Sequence, residues 1–193
     1  ILRDKSFHNM TPELLEPVIA THLLGAFYVT MPAWVIMREK GFGRIINTSS
    51  NSGILGNFGQ ANYGAAKMGL VGLTRVLAIE GRKHNIKVNA IAPVGFTRMT
   101  EDMFAGYAEA LDPSKISPLV AYLAHEGCEP TGEIFSTAGG CVSQFFIGLT
   151  EGYFNPDLTA EDIRDNLAQI RDRDGAAIHP RSEEHTSELQ SQR

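Results

Sequence analysis

Two short apolar segments held apart by a long helical stretch constrain this chain more than any other feature. Arg44-Ile45-Ile46-Asn47-Thr48-Ser49 has the character of a buried strand that ends in hydroxyls, and Lys87-Val88-Asn89-Ala90-Ile91 is a second. Between them a glycine-spaced loop, Gly53 to Gly59, leads into a helix predicted from about Gln60 to Gly81. A strand, a long crossover helix and another strand form a right-handed parallel unit, because parallel strands need a crossover and strand twist fixes its hand. The fold class this predicts is α/β, with helices packed on a parallel sheet.

Local signals supply the flanking elements. Thr11-Pro12-Glu13 is a helix start, with a capping hydroxyl, proline at the first helical position and an acidic first turn. The apolar run from Val18 through Met37 continues at helical spacing, and Pro17 and Pro32 are expected to bend or divide it. After Pro93 an irregular segment, Gly95 to Gly106, precedes a helix expected to be capped by Ser114 and to run to about His125. Gly132 to Thr137 is a further strand, closed by Gly139-Gly140. Beyond Thr150 the chain is more polar, and Thr159 with Asp162 forms a capping box expected to open a helix to about Arg173. Residues 1–148 therefore read as one domain, residues 149–180 as a helical appendage, and residues 181–193 as a disordered tail without hydrophobic period. From Arg181 to Ser191 the tail resembles the conceptual translation of a sequencing-adapter oligonucleotide, and it carries no weight for fold or function.

Composition removes several classes of function. At 43% hydrophobic and 20% charged residues the chain has the profile of a soluble globular protein, which sets aside collagen, disorder and a membrane protein. Its 17 Lys plus Arg against 22 Asp plus Glu give a formal charge of −5, without the basic excess that a nucleic-acid binder needs. Cys128 and Cys141 are too far apart for a CxxC unit and read as reduced thiols. With no secretory signal, the expected compartment is the cytoplasm, or the peroxisome for a eukaryotic source. His125, Glu126 and Cys128 sit at a helix end with only Cys141 to complete a set, so a structural role is expected there and no metal site.

The residues with chemistry to offer are Ser50, Tyr63 and Lys67. Tyr63 and Lys67 are spaced i, i+4 on one helix face, and Ser50 follows a parallel strand at its carboxyl end, where open α/β sheets place ligands. A tyrosine hydroxyl is a poor acid–base catalyst near neutrality, because its unperturbed pKa is about 10. A neighbouring ammonium is expected to lower that value into a working range, and the serine hydroxyl to hold a substrate oxygen beside the phenol. Such a set suits reversible oxidation of a secondary alcohol with a separate hydride acceptor.

Three stretches make the chain resemble the short-chain dehydrogenase/reductase family over nearly all of residues 1–145: Gly43 to Ser50, Tyr63-Gly64-Ala65-Ala66-Lys67, and Val88-Asn89-Ala90-Ile91-Ala92-Pro93 followed by Thr97-Arg98-Met99. Within the family, Asn57 to Tyr63, Leu77 to Lys83 and Arg98-Met99-Thr100 are most similar to the (3R)-hydroxyacyl-CoA dehydrogenase units of multifunctional β-oxidation enzymes and their bacterial relatives. The resemblance implies the C-terminal half of a Rossmann-type doubly wound parallel sheet. It implies Tyr63 as acid/base, Ser50 as the group orienting substrate, and Lys67 on the nicotinamide ribose. Pro93, Val94 and Thr97 are implied at the nicotinamide and diphosphate, and Phe96, Met99 and Met103 on a mobile substrate loop. The implied cofactor is NAD, with NADP as the alternative, and the implied substrate is an acyl thioester. The small residues Gly64, Ala65, Ala66, Gly69 and Gly72 point, on the resemblance, to a homo-oligomer built through this helix; the alternative is packing on the chain's own sheet.

Two departures qualify the match. Where most members have an asparagine, this chain has His22 in His22-Leu23-Leu24-Gly25-Ala26-Phe27, as the β-oxidation branch does. Either His22 continues a proton relay from Lys67, or its ring only bridges a broken helix. In addition, Pro93-Val94-Gly95-Phe96 replaces the usual Pro-Gly turn, one residue short of Thr97. No glycine-rich dinucleotide fingerprint follows an early strand, so the adenosine half of the cofactor site is expected to lie outside this chain, on roughly 90 further residues in three strand–helix units. The competing functions are an NADPH-dependent 3-oxoacyl-ACP reductase, a non-catalytic assembly subunit, and an epimerase or dehydratase of the extended branch. Trp34, Phe27, Val35 and Met37 are expected to be helix packing.

Overall fold

The computed structural model describes residues 1–98, 100–101 and 104–179. It divides into two compact units, the first being Ile1–Phe145 and the second beginning at Phe146. In the first unit, strands β1 (Gly43–Thr48), β2 (Ile86–Val94), β3 (Ile134–Ala138) and β4 (Cys141–Phe145) form one sheet in that spatial order. β1, β2 and β3 are parallel, with Gly43 opposite Ile86, Thr48 opposite Ile91, and Ala90 opposite Ile134. β1 pairs on one side only among the described residues.

Helix α4 (Ala61–Gly81) is the crossover from β1 to β2, and it covers one face of the sheet. Val71 of α4 packs with Ala90 and Ile134, and Ala78 packs with Ile86 and Val88, joined by Trp34 and Met37 from α2 (Gly25–Lys40). Full burial of a residue such as Ile86 or Val88 contributes about 2 kcal/mol. On the opposite face Ile91 packs with Leu119 and Leu123 of α5 (Ser117–Ala124), with Ile46 and Phe135 alongside. Both faces of β2 are therefore covered, which is why its sequence is a continuous apolar run and not an alternation.

β2 runs three residues past the predicted end, through Pro93. Its odd residues point their backbone groups toward β1: the N–H of Ser49 donates to the carbonyl of Ile91 at 2.7 Å, the last such bond. β1 has ended by Pro93, so the missing proline donor faces no strand and costs no ladder bond. Strand β4 was not predicted. Gly139 and Gly140, both at positive φ, make the two-residue turn that reverses the chain into it.

The expected break at Pro17 and Pro32 takes another form. α1 (Pro12–Ile19) contains Pro17 and α2 contains Pro32, and the irregularity lies between the two helices as a π-helical turn over Ala20–Leu24. This run, Pro12–Lys40, is long and apolar enough by composition to cross a membrane; here it packs on α4 and β1. Phe27, Tyr28, Val29, Met31, Val35 and Ile36 are exposed on it, so only Trp34 and Met37 of the expected packing set reach the core. At the helix start, Thr11 makes no capping bond to the backbone, and its hydroxyl goes to the Glu13 carboxylate instead.

α5 is preceded by a 3-10 turn, Pro113–Lys115, whose cap is Asp112 and not Ser114: the Asp112 carboxylate accepts from the Ser114 N–H at 2.7 Å. In the second unit the capping box forms as read, with Thr159 Oγ accepting from the Asp162 N–H at 3.1 Å and the Asp162 carboxylate accepting from the Thr159 N–H at 2.9 Å. The helix it opens, α6 (Ala160–Asp165), stops at Asn166, and α7 (Leu167–Ile170) follows, short of Arg173. The tail at 181–193 lies outside the described residues.

Candidate active site

The site is built where β1 delivers its last residues onto α4. Asn47 and Ser49 face α4, and each spends its side chain on it: Asn47 Nδ2 donates to Thr74 Oγ1 at 2.9 Å and Ser49 Oγ donates to the Lys67 carbonyl at 2.8 Å. The next residue, Ser50, turns outward and caps the short helix α3 (Asn51–Ile54), accepting from the Ser52 N–H at 3.2 Å. α3 lies flush on α4 because Gly53 has no side chain; a Cβ there would sit 2.8 Å from the Met68 nitrogen. α3 takes up the first part of what reads in the sequence as a glycine-spaced loop.

Tyr63 and Lys67 stand on the first turns of α4, as their spacing requires. Lys67 is buried, with its ammonium donating to the Thr48 carbonyl at 2.7 Å and lying 5.5 Å from the centre of the Tyr63 ring. A side-chain hydrogen bond from Ser50 lowers the Tyr63 phenol, yet burial outweighs it and, with the Asp4 carboxylate adding to the rise, the phenol sits above its ordinary value. The depression expected from Lys67 is thus not realised: the ammonium is drawn back to Thr48, and its own pKa is lowered by burial.

His22 occupies the π-helical turn, whose extra residue sets the ring edge-on to Tyr63, with centroids 5.1 Å apart at 89°. Its Nε2 is 2.8 Å from the Ile1 carbonyl, and burial is the main cause that lowers its pKa. The turn fits because the neighbouring Leu23 packs into the space left by Gly69 on α4, where a Cβ would meet it at 3.0 Å. Gly64 likewise clears the Ser52 carbonyl at 3.1 Å, and Ala66 is fully buried. Of Gly64, Ala65, Ala66, Gly69 and Gly72, only Ala65 and Gly72 are exposed.

Ser50 and Tyr63 open into a cavity of about 430 Å³ that is walled by Pro93, Val94, Thr97 and Phe104. Lys67 and His22 line a separate hollow of about 500 Å³ beside β1, with Thr48 and Leu70. Tyr63 and Lys67 are therefore the pair that connects the two. Phe96 does not face the first cavity; its N–H donates to the Leu111 carbonyl at 2.7 Å. The described residues of the loop are irregular as read, pinned by Thr100 Oγ donating to the Gly95 carbonyl at 2.6 Å. Met99 and Met103 lie outside the described residues. Asn51, Asn57 and Gln60 also line the cavity and were missed by sequence reasoning, although their nearness to Ser50 and Tyr63 was a usable signal. Among the described residues no three His, Cys, Asp or Glu side chains cluster as metal ligands. His125 Nδ1 accepts from the Gly127 N–H at 3.0 Å, and Cys128 is buried.

Comparison with known proteins decides the family. The pattern described as short chain dehydrogenase matches residues 1–108. The chain belongs to the short-chain dehydrogenase family. It is 45% identical over 188 residues to the peroxisomal multifunctional enzyme A of Dictyostelium discoideum, covering 97% of this chain and 43% of that one. It is 55% identical over 93 residues to the acetoacetyl-CoA reductase of Rhizobium meliloti (strain 1021), covering 48% of this chain and 39% of the relative. The structure of full-length peroxisomal multifunctional enzyme type 2 from Drosophila melanogaster matches with a TM-score of 0.88 and 38% identity, over 99% of this chain and 36% of that one. The matched regions therefore cover less than half the length of each of these relatives. Its sheet with helices on both faces is a short-chain dehydrogenase's Rossmann-type arrangement.

Proposed function

We propose that this short-chain dehydrogenase chain forms the catalytic half of an enzyme that interconverts a (3R)-3-hydroxyacyl thioester and the 3-oxoacyl thioester, with NAD as hydride partner. The observation that carries the reading is the meeting of the Ser50 and Tyr63 hydroxyls at the mouth of a mainly apolar cavity, with the Lys67 ammonium buried behind the phenol. The names of the relatives, a reductase of acetoacetyl-CoA and multifunctional peroxisomal enzymes, support the substrate class.

The residues present fit a nicotinamide group. The cavity stands at the carboxyl ends of β1 and β2, within the size range of cofactor sites, and combines the apolar wall of Pro93 and Val94 with hydroxyl donors. Pro93, Val94 and Thr97 would hold the ring, and Lys67, once it leaves the Thr48 carbonyl, the ribose hydroxyls. When bound, the nicotinamide supplies the hydride acceptor or donor. The protein's part is proton handling and orientation: Ser50 donates a hydrogen bond to the substrate oxygen, and Tyr63 exchanges a proton with that oxygen. His22, which shares a hollow with Lys67, would continue a water-mediated proton relay from Lys67. The edge of β1 beside the His22–Lys67 hollow, unpaired among the described residues, supports a further strand there that carries the dinucleotide fingerprint.

The relative named acetoacetyl-CoA reductase supports the reductive direction, and NADPH-dependent reduction of a 3-oxoacyl thioester is the second reading. We further propose a homo-oligomer through the outer face of α4, where Ala61, Ala65, Met68, Gly72, Val76 and Ile79 form an exposed small and apolar stripe. The relatives named peroxisomal support that compartment for a eukaryotic source, and the cytoplasm is the assignment otherwise. The test is spectrophotometric: the full-length protein, given (3R)-3-hydroxybutyryl-CoA and NAD⁺, is expected to raise the absorbance at ~340 nm, the NADH signature. Turnover of acetoacetyl-CoA with NADPH alone would establish the second reading, and no turnover in either direction would overturn both.

A further inference from the structure

Two amide side chains, Gln60 and Asn62, flank Ala61 just before Tyr63, and both reach across to residues 3 and 4. Gln60 Nε2 donates to the Asp4 carboxylate at 2.7 Å, and Gln60 Oε1 accepts from Asn57 Nδ2 at 3.0 Å. Asn62, almost fully buried, donates from Nδ2 to the carbonyls of Arg3 and Leu14, each at 2.9 Å, while its Oδ1 accepts from the Tyr63 N–H at 2.7 Å. The Lys5 N–H donates to the Gly59 carbonyl at 2.7 Å. Residues 3–5 are thereby clasped to the start of α4 at three points, within one turn of Tyr63. Gln60 and Asn57 also line the same cavity as Ser50 and Tyr63, with Leu2 beside them.

We propose that Gln60 and Asp4 are positioning residues: their bond fixes the strap at residues 3–5 against the first turn of α4 and so sets where the Tyr63 hydroxyl meets substrate. Gln60 acts through the fold and not on substrate, because its oxygen is engaged by Asn57 and its nitrogen by Asp4. The bond is charge-assisted, which places it among the stronger and shorter hydrogen bonds. The inference rests on the proposed role of Tyr63 as proton donor and acceptor. It adds a second consequence, since the Asp4 carboxylate held by Gln60 is near enough to raise the phenol. The charged and titratable groups around Tyr63 are Asp4 from the strap, His22 from the π-helical turn, and Lys67 from α4 itself. Asp4 raises the phenol, so neutralising it lowers the pH at which Tyr63 loses its proton.

The experiment compares Gln60→Leu, Asp4→Ala and Asp4→Asn in the full-length protein. Gln60→Leu and Asp4→Ala are expected to lower kcat by about tenfold or more with KM changed less than about twofold, because a misplaced acid–base group costs rate and not substrate binding. Asp4→Asn, which keeps an oxygen acceptor for Gln60, is expected to recover most of kcat and to move the rising limb of the oxidation profile, where Tyr63 loses its proton and becomes the base, to lower pH. Wild-type kcat in Gln60→Leu, equal losses in Asp4→Ala and Asp4→Asn, or a limb that does not move overturns the proposal. A second readout needs no substrate: ¹³C NMR titration of tyrosine-labelled protein is expected to show the Tyr63 phenol titrating lower in Asp4→Asn. A wild-type protein inactive on both thioesters defeats the functional reading alone, and an unmoved Tyr63 titration defeats the strap's coupling alone.

Discussion

Replacing Gly53 by alanine puts the largest local stress on the site without touching a reactive group. The added Cβ would lie 2.8 Å from the Met68 nitrogen, 2.9 Å from Lys67 Cβ and 3.0 Å from the Lys67 carbonyl carbon. Two of these are backbone atoms in the middle of a long helix, so α3 has to yield. Restoring an ordinary carbon contact of ~3.5 Å requires a retreat of roughly 0.7 Å. Overpacking of this kind costs about 1–3 kcal/mol. At about 2 kcal/mol a domain of this size melts roughly 4–8 °C lower. Because Ser50 caps α3, its hydroxyl moves with the helix, and kcat is expected to fall by about tenfold to a hundredfold. Circular dichroism melts give the first quantity and NADH formation gives the second. A Gly53→Ala protein with unchanged melting temperature and unchanged kcat would refute the close approach of α3 to α4 as the device that sets Ser50.

Three further outcomes follow from the same geometry. Val76→Glu on the exposed stripe of α4 is expected to convert an oligomer into monomer by light scattering without lowering the melting temperature of the monomer; an unchanged mass refutes assembly through that face. Cys128 is buried and its thiol is pushed up by desolvation, whereas Cys141 is exposed, so Ellman's reagent is expected to titrate one fast thiol that Cys141→Ser removes. A fast reaction at Cys128 would contradict the packing of α5 on β2. Thr159→Ala removes the capping box of α6 and is expected to cost about 1 kcal/mol, read as faster amide exchange in residues 160–165; unchanged exchange would show that the cap contributes nothing.

The sheet and the reactive pair were legible because they depend on short-range pattern. Val88 and Ala90 are buried against α4 and Ile91 against α5, with Ile45 and Ile46 of β1 partly buried beside them, so the strands read as apolar runs, and the i, i+4 spacing places Tyr63 and Lys67 together wherever the helix lies. β4 was not legible. Cys141, Val142, Ser143 and Gln144 are exposed, so no burial pattern marks them, and the Gly139-Gly140 turn was the remaining signal. Pro17 and Pro32 drew the eye as helix breakers, but the irregularity falls at Ala20–Leu24, where a π-helical turn leaves no compositional trace. Asp4 and Gln60 are 56 residues apart, and nothing in either residue's neighbourhood announces the other. The direction of the Tyr63 shift was misjudged for a related reason: the i, i+4 spacing shows that an ammonium is near, but not that burial is larger or that the ammonium is tied to Thr48.

The central claim is that the Tyr63 hydroxyl carries the proton in an alcohol–ketone interconversion. Tyr63→Phe removes that oxygen and keeps the ring that packs on His22. In the full-length protein, turnover of (3R)-3-hydroxybutyryl-CoA by this variant is expected to fall by about a thousandfold or more, within or beyond the usual range for losing an acid–base group. Binding of NAD⁺, measured by calorimetry, is expected to stay within about twofold of the unsubstituted protein. A Tyr63→Phe enzyme that keeps its turnover would contradict the account.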